Sequence, residues 1–253
     1  MQCVFTRCNL QCCYCQNFQI SRNSEAIIEY PLDLNHLIDK IIRILEKGCN
    51  TVGFVSPSHV IPQMKTIVSG LHDRGTHPII VMNTNAYDRV ETLKELEGWV
   101  DVYLPDFKYA DALLGQEYSD AADYPDIAVR AIREMYRQKG SMLYVNEQGI
   151  ATSGLIIRHL VLPGSVENSI AVLRRIAEEI STSVHISLMS QYYPTEPVKD
   201  HPLLGRRLFA EEYKAVVEEM QRLGFYRGWI QEMDSSQHYQ PDFAEAHPFE
   251  TDK

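Results

Sequence analysis

No run of eighteen or more apolar residues occurs in the 253-residue chain, so no segment is built to cross a bilayer as a helix. Positive charge is also in short supply: Lys and Arg number 24 against 34 Asp and Glu, a formal net charge of −10. A general nucleic-acid binder draws its affinity largely from cations that neutralise phosphates, so nucleic acid is not an expected partner. A polybasic membrane contact is disfavoured for the same reason. Internal repeats, low-complexity tracts and convincing linkers are missing too. Cysteine is scarce, with six residues, and four of them crowd into positions 8–15. A disulfide framework would instead space its cysteines along a small secreted chain. No secretory leader precedes them, and adjacent Cys12 and Cys13 would pair only with strain. The expected compartment is the cytosol, where thiols stay reduced.

The crowded stretch reads Cys8-Asn9-Leu10-Gln11-Cys12-Cys13-Tyr14-Cys15-Gln16-Asn17. Its spacing lets one short loop turn the thiolates of Cys8, Cys12 and Cys15 toward a single point. Thiolates are soft ligands that select zinc, copper or an iron-sulfur cluster over harder ions. A structural zinc site wants a fourth ligand, which Cys3 or Cys13 could supply. A four-iron cluster on three thiolates instead leaves one iron open to something that is not protein. Cys3, Cys13 and Cys49 read as structural thiols, since free cysteine is among the most buried residue types.

Around this loop the chain alternates β-prone and amphipathic segments. A first strand over 2–6 leads directly into the cysteines. Residues 33–47 carry Leu34, Leu37, Ile38, Ile41, Ile42 and Leu45 at helical intervals and stop at Gly48. Strands are expected over 51–55, 78–82, 100–104, 155–161 and 184–189, and helices over 62–74, 90–96, 126–139, 166–180 and 211–223. Segment 141–145 is placed to pair with 155–161 across a Glu147-Gln148-Gly149 turn, and 227–232 reads as a closing strand. Residues 111–124 are read as a long connection. Near-continuous apolar strands between helices indicate a parallel sheet covered on its faces, either doubly wound or a barrel. One domain over 1–233 is expected, followed by a polar tail over 234–253 without periodicity, expected to be poorly ordered. Polar residues collect after the strands: Ser56 to His59, Asn83 to Asn85, Asp106 and Lys108, and Gln191. Strand-to-helix loops in parallel barrels converge on one rim, so these residues would line one pocket.

The spacing Cys-x3-Cys-x2-Cys, with Tyr14 before the last cysteine, resembles the cluster loop of the radical S-adenosylmethionine (radical SAM) enzymes. The extended string Cys-Asn-Leu-x-Cys-x-Tyr-Cys-Gln-Asn is further similar to the activating enzymes of glycyl radical enzymes, in the branch of pyruvate formate-lyase activating enzyme-like proteins. The resemblance implies a partial (β/α)6 barrel of the TIM type, open at one side. It implies a 4Fe-4S cluster on Cys8, Cys12 and Cys15, and S-adenosylmethionine chelated to the open iron. Reductive cleavage to a 5′-deoxyadenosyl radical and hydrogen abstraction from a substrate would follow. The implied partners are an electron donor such as flavodoxin or ferredoxin and a glycyl radical enzyme. Relatives of this kind carry an N-terminal extension before the cluster strand, so a truncated or late-start form is expected here. An open iron further suggests an anaerobic setting.

Residue by residue the resemblance is partial. Where the activating enzymes have Gly-Gly-Glu for the cofactor's amino group, this chain has Val55-Ser56-Pro57-Ser58-His59. Ser56, Ser58, His59 or backbone carbonyls would have to accept those hydrogen bonds. A tight Ser-Pro turn explains the same residues without a cofactor. Asn83-Thr84-Asn85-Ala86 matches an Asp-Thr-Asn-Gly segment imperfectly, so Asn83 and Asn85 are read either as cofactor ligands or as turn residues. Asp106-Phe107-Lys108 matches an Asp-x-Lys motif; Lys108 suits the cofactor's carboxylate and Asp106 would hold it, with a solvated ion pair as the alternative. Arg158 lies inside an apolar strand and is matched to a family arginine, or else to a salt bridge with Asp106. His159 should face the opposite side and pack against a helix. Gln191 and Tyr192 stand where the family has a histidine near the adenosine, and Tyr14 is read as stacking near the adenine or as loop packing. Two further readings stay open: a radical SAM enzyme acting on a small molecule or peptide, and a non-catalytic zinc or iron-sulfur module.

Overall fold

The computed structural model describes residues 1–24, 33–233, 241 and 243. Seven strands form one parallel path: β1 (Gln2–Val4), β2 (Thr51–Val55), β3 (Ile79–Thr84), β4 (Val102–Pro105), β6 (Ala151–Leu160), β7 (His185–Met189) and β8 (Gly228–Ile230). A two-residue strand, β5 (Tyr144–Val145), pairs antiparallel with β6. Each new strand joins the same growing edge, and among the described residues no pairing links β8 back to β1. The result is the curved wall of a partial barrel, in which every strand-to-helix loop emerges at the same end.

The helices that cover the wall follow from the sequence pattern. In α2 (Leu34–Leu45), Asp33 accepts the His36 amide at 2.9 Å as an N-cap, and Ile38 and Ile41 are buried. Gly70 of α3 (Ile61–Asp73) lets α2 approach closely, because a Cβ there would overlap Ile38 Cδ1. The remaining helices are α4 (Val90–Glu95), α5 (Ala112–Ser119), α6 (Tyr124–Lys139), α7 (Val166–Glu179) and α8 (Ala210–Arg222), with a single turn α1 (Phe18–Ser21) after the cysteine loop.

The apolar strands are not covered equally on both faces. Phe54, Met82, Tyr103 and Leu155 share one register row and are fully or almost fully buried. Tyr103 donates its hydroxyl to Gln138 of α6 at 2.9 Å, so this row faces the helices. The alternate row, Val4, Val55, Asn83 and Leu104, is half-buried and faces the inside of the wall. A closed barrel would fill that inner space with layers of side chains. An open one leaves it accessible, and for this reason strands that read as doubly covered are covered on one side only.

Several elements differ from the sequence reading: β6 begins at Ala151 rather than at residue 155, and it is this added start, at Ala151 and Ser153, with which β5 pairs. Residues 111–124 are not a plain connection, since Asp111 accepts the Leu113 amide and starts α5, which ends at Asp120 in the left-handed region (φ 52°). The first strand stops at Val4, with Arg7 turning the chain at φ 68°. Of the 234–253 tail only residues 241 and 243 fall inside the described set.

Candidate cofactor site at the strand ends

The cysteine loop begins three residues after β1 and is pinned from four sides. Arg7 donates its backbone amide to Ile20 at 2.6 Å, and Cys13 donates to the Tyr118 carbonyl of α5 at 2.8 Å. Gln11 Nε2 and Asn23 Nδ2 both donate to the Cys8 carbonyl, at 2.9 and 3.0 Å. Asn9 Nδ2 donates to the Tyr87 carbonyl at 2.7 Å, in the loop after β3. From that same loop, Asn85 Nδ2 donates to Asn9 Oδ1 at 2.9 Å and to Cys8 Sγ at 3.4 Å.

Each sulfur of the trio receives a donor. Cys8 takes Asn85 and the Leu10 amide, Cys12 takes Ser119 Oγ at 3.1 Å, and Cys15 takes Ser21 Oγ at 3.3 Å. Desolvation pushes the Cys8 thiol up, and pushes Cys12 up to about 12. Lys108 works against burial at both, while Cys15 adds to it at both and Cys8 adds to it at Cys12, so Cys8, Cys12 and Lys108 share one electrostatic environment with Cys15 beside them. Among the described residues no three His, Cys, Asp or Glu side chains converge tightly enough to enclose a single ion. A 4Fe-4S cluster fits this donor set: its cysteine sulfurs bind separate irons, and its thiolates need the hydrogen-bond donors and nearby cation that are present. Cys49 lies apart, against the Met1 amine and Thr51.

Behind the loop the strand ends carry an ion trio. Asp106 lies 2.6 Å from Arg158 and 3.0 Å from Lys108, and Arg158 Nη2 also donates to Asn83 Oδ1 at 2.8 Å. Burial raises the Asp106 carboxyl, but Arg158 and Lys108 outweigh it and hold it below the usual carboxylate range. Burial likewise opposes the Lys108 charge, yet Asp106 and then Cys12 drive its pKa upward. Two cations therefore face one carboxylate, leaving one net positive charge beside the sulfurs.

Not every predicted residue turns toward this centre. Ser58 Oγ lies 3.3 Å from Thr84 Oγ1 and bonds Asp88, whose carboxyl is buried outside the wall and held up by desolvation. Ser56 sits at φ 49° and donates its amide to the Asn83 carbonyl at 2.7 Å, while His59 Nε2 lies 2.9 Å from the Thr6 carbonyl oxygen. This stretch is a Ser-Pro turn that locks β2 to β3 through the Ser56 amide. Gln191, after β7, pairs its side chain with Gln231 at 2.9 Å. Tyr14 is buried among Tyr109, Tyr118 and Tyr192, its hydroxyl accepting from Tyr109 at 2.7 Å. His159 faces away from Arg158, as strand alternation requires, with Nδ1 2.6 Å from the Phe107 carbonyl oxygen.

Sequence reasoning missed Ser119, Tyr124 and Asn168. Tyr124 Oη accepts the Lys108 amide at 2.9 Å and reaches the Asn85 and Asp106 carbonyls, stapling two site loops together. Asn168 bridges the Lys108 carbonyl and the Ala110 amide. All three come from helices, where one polar residue among many carries no signal. Only the Asp111 cap before Ala112-Leu113-Leu114 hinted at the helix that delivers Ser119.

The fold is that of the radical SAM enzymes. Among solved structures that share it are methylornithine synthase (PylB), with a TM-score of 0.57 at 15% identity over 87% of this chain and 62% of that one, and Streptococcus suis SuiB bound to S-adenosylmethionine, with 0.58 at 13% over 91% and 50%. In sequence, the chain is 30% identical over 224 residues to the uncharacterized protein MJ0674 of Methanocaldococcus jannaschii, covering 85% of this chain. The chain spans about 60% of the length of that curated relative. No model of a known protein family matches. Among the described residues no helix is long and apolar enough to cross a membrane.

Proposed function

We propose that this chain is a radical SAM enzyme, binding S-adenosylmethionine beside a 4Fe-4S cluster held by Cys8, Cys12 and Cys15. One observation carries the reading: three thiols each receive a hydrogen-bond donor, and two of them, Cys8 and Cys12, lie in the field of Lys108, part of an ion trio that keeps one net positive charge. When bound, the cluster would supply the electron for reductive cleavage of the sulfonium, and the radical so released would abstract a hydrogen atom from substrate. The protein's own part is positional. Lys108 offers a compact cation for the cofactor's carboxylate, Asp106 keeps that lysine charged and aimed, and Arg158 with Asn83 fixes Asp106. Tyr124 holds the loops bearing Asn85 and Lys108 in register, so cofactor and sulfurs would meet in one geometry.

The finer assignment is hydrogen abstraction from a glycine of a protein partner. It is supported by the extended loop string from Cys8 to Asn17 and by the half-exposed inner row, which an extended polypeptide segment could enter from the open side. A flavodoxin or ferredoxin would deliver the electron, in the cytoplasm.

The deciding experiment is anaerobic reconstitution followed by iron and sulfide analysis, then addition of dithionite and S-adenosylmethionine. About four irons and four sulfides per chain, and release of 5′-deoxyadenosine that Cys12→Ala abolishes, are expected. A single tightly held zinc, or a full cluster that leaves the cofactor uncut, would sink the reading. A glycyl radical signal in a partner protein would then separate protein activation from small-molecule chemistry.

A further inference from the structure

Ser119 closes α5 and is almost completely buried, at 2% exposure. Its single hydroxyl proton has two acceptors in reach, Cys12 Sγ at 3.1 Å and Tyr109 Oη at 2.7 Å. Once Cys12 binds metal as a thiolate, its negative charge makes the sulfur the stronger acceptor, because a charge-assisted hydrogen bond is about twice as strong as a neutral one. The other side-chain donors to the trio differ in kind. Ser21 sits on a single half-buried turn where water can replace its hydroxyl, and Asn85 divides its amide between Cys8 and Asn9. Ser119 is buried where Ser21 is not, because the aromatic rings of Tyr14, Tyr109 and Tyr118 pack around this end of α5, while the Cys12 it serves is itself partly exposed.

Resting on the proposal that the loop carries a four-iron cluster, we infer that Ser119 is a positioning residue that sets the cluster's reduction potential through its hydrogen bond to Cys12 Sγ. A donor to a cluster sulfur withdraws electron density and stabilises the more negative, reduced form, so it raises the potential. Low local dielectric strengthens that effect. The bond also makes α5 part of the redox apparatus, since the same helix grips the loop through Tyr118 and Cys13.

The test is an anaerobic redox titration of the reconstituted protein followed by electron paramagnetic resonance, for the parent, Ser119→Ala and Ser119→Thr. Ser119→Ala should keep about four irons per chain and become roughly tenfold harder to reduce, a fall of about 59 mV for one electron. Ser119→Thr retains a hydroxyl and should titrate with the parent. An unchanged midpoint in Ser119→Ala overturns the inference. So does a Ser119→Ala protein that no longer assembles the cluster, because the serine would then be structural. Failure of the parent itself to assemble four irons would instead overturn the cluster assignment, so the two readings fail separately.

Discussion

Arg158 and His159 are neighbours on β6 with opposite fates. Arg158 points into the open interior and finds Asp106, whereas His159 points at the helices, is 1% exposed and leaves Nε2 without a hydrogen-bond partner. Burial therefore lowers its pKa to about 4, against a reference of 6.5. A depressed pKa means that the unfolded chain takes up the proton first as pH falls. The neutral ring costs nothing above pH 6.5, and stability is lost between that point and about pH 4, by about 3 kcal/mol at most. His185, lowered mainly by burial, works in the same direction. Urea unfolding at pH 7.5 and 4.5 should show His159→Asn losing less stability on acidification than the parent, and equal losses would remove His159 from the explanation. At this scale the sequence was partly legible. Polar residues at strand ends announced Asn85, Asp106, Lys108 and Arg158, because alternation and strand direction decide where they point. The acceptor that engages Ser58 was hidden, since Asp88 lies four residues beyond Thr84 in a loop whose turn cannot be read from residue types.

Elements are held at the rim by backbone as much as by side chains. β8 joins β7 only because Gly228 adopts φ 119°, and a Cβ there would overlap the backbone oxygen and nitrogen of Ile186. Gly228→Ala should therefore detach β8, at a cost of about 2 kcal/mol or more. Hydrogen exchange reads this directly: the Gln231 amide, which bonds the Leu188 carbonyl at 3.0 Å, should lose protection while β2 and β3 keep theirs. Retained protection at Gln231 would contradict the steric argument. The periodic helices and apolar strands could be placed from the chain because burial imposes a period on them. α5 could not, since it spans eight residues and takes its position from contacts with the cysteine loop rather than from an apolar face of its own.

Across the whole molecule the cysteine loop is the junction of parts far apart in sequence. β1 leads into it, the β3 loop reaches it through Asn85, and α5 reaches it through Tyr118 and Ser119. Anything that binds the loop in the folded chain alone must stabilise the folded chain. Reconstitution should thus raise the midpoint of thermal unfolding by roughly 5 to 10 °C for a domain of this size. Anaerobic calorimetry with and without the cluster measures it, and a chelator should reverse the gain; an unaltered midpoint would mean that the unfolded chain holds the cluster as tightly as the folded one. The barrel wall itself was legible as alternating strand and helix, whereas its open side was expected from the resemblance of the cysteine loop alone and not from the strands. Closure depends on whether the last strand meets the first, and no residue pattern in either strand encodes that meeting.

The hairpin between β5 and β6 stands at the start of a strand whose far end carries Arg158, so its tip at Gln148 lies a full strand length from the ion trio. That remoteness makes Gln148 a natural handle: a surface linker fixed there would tether the protein to an electrode or a bead with the strand ends that carry the ion trio turned outward.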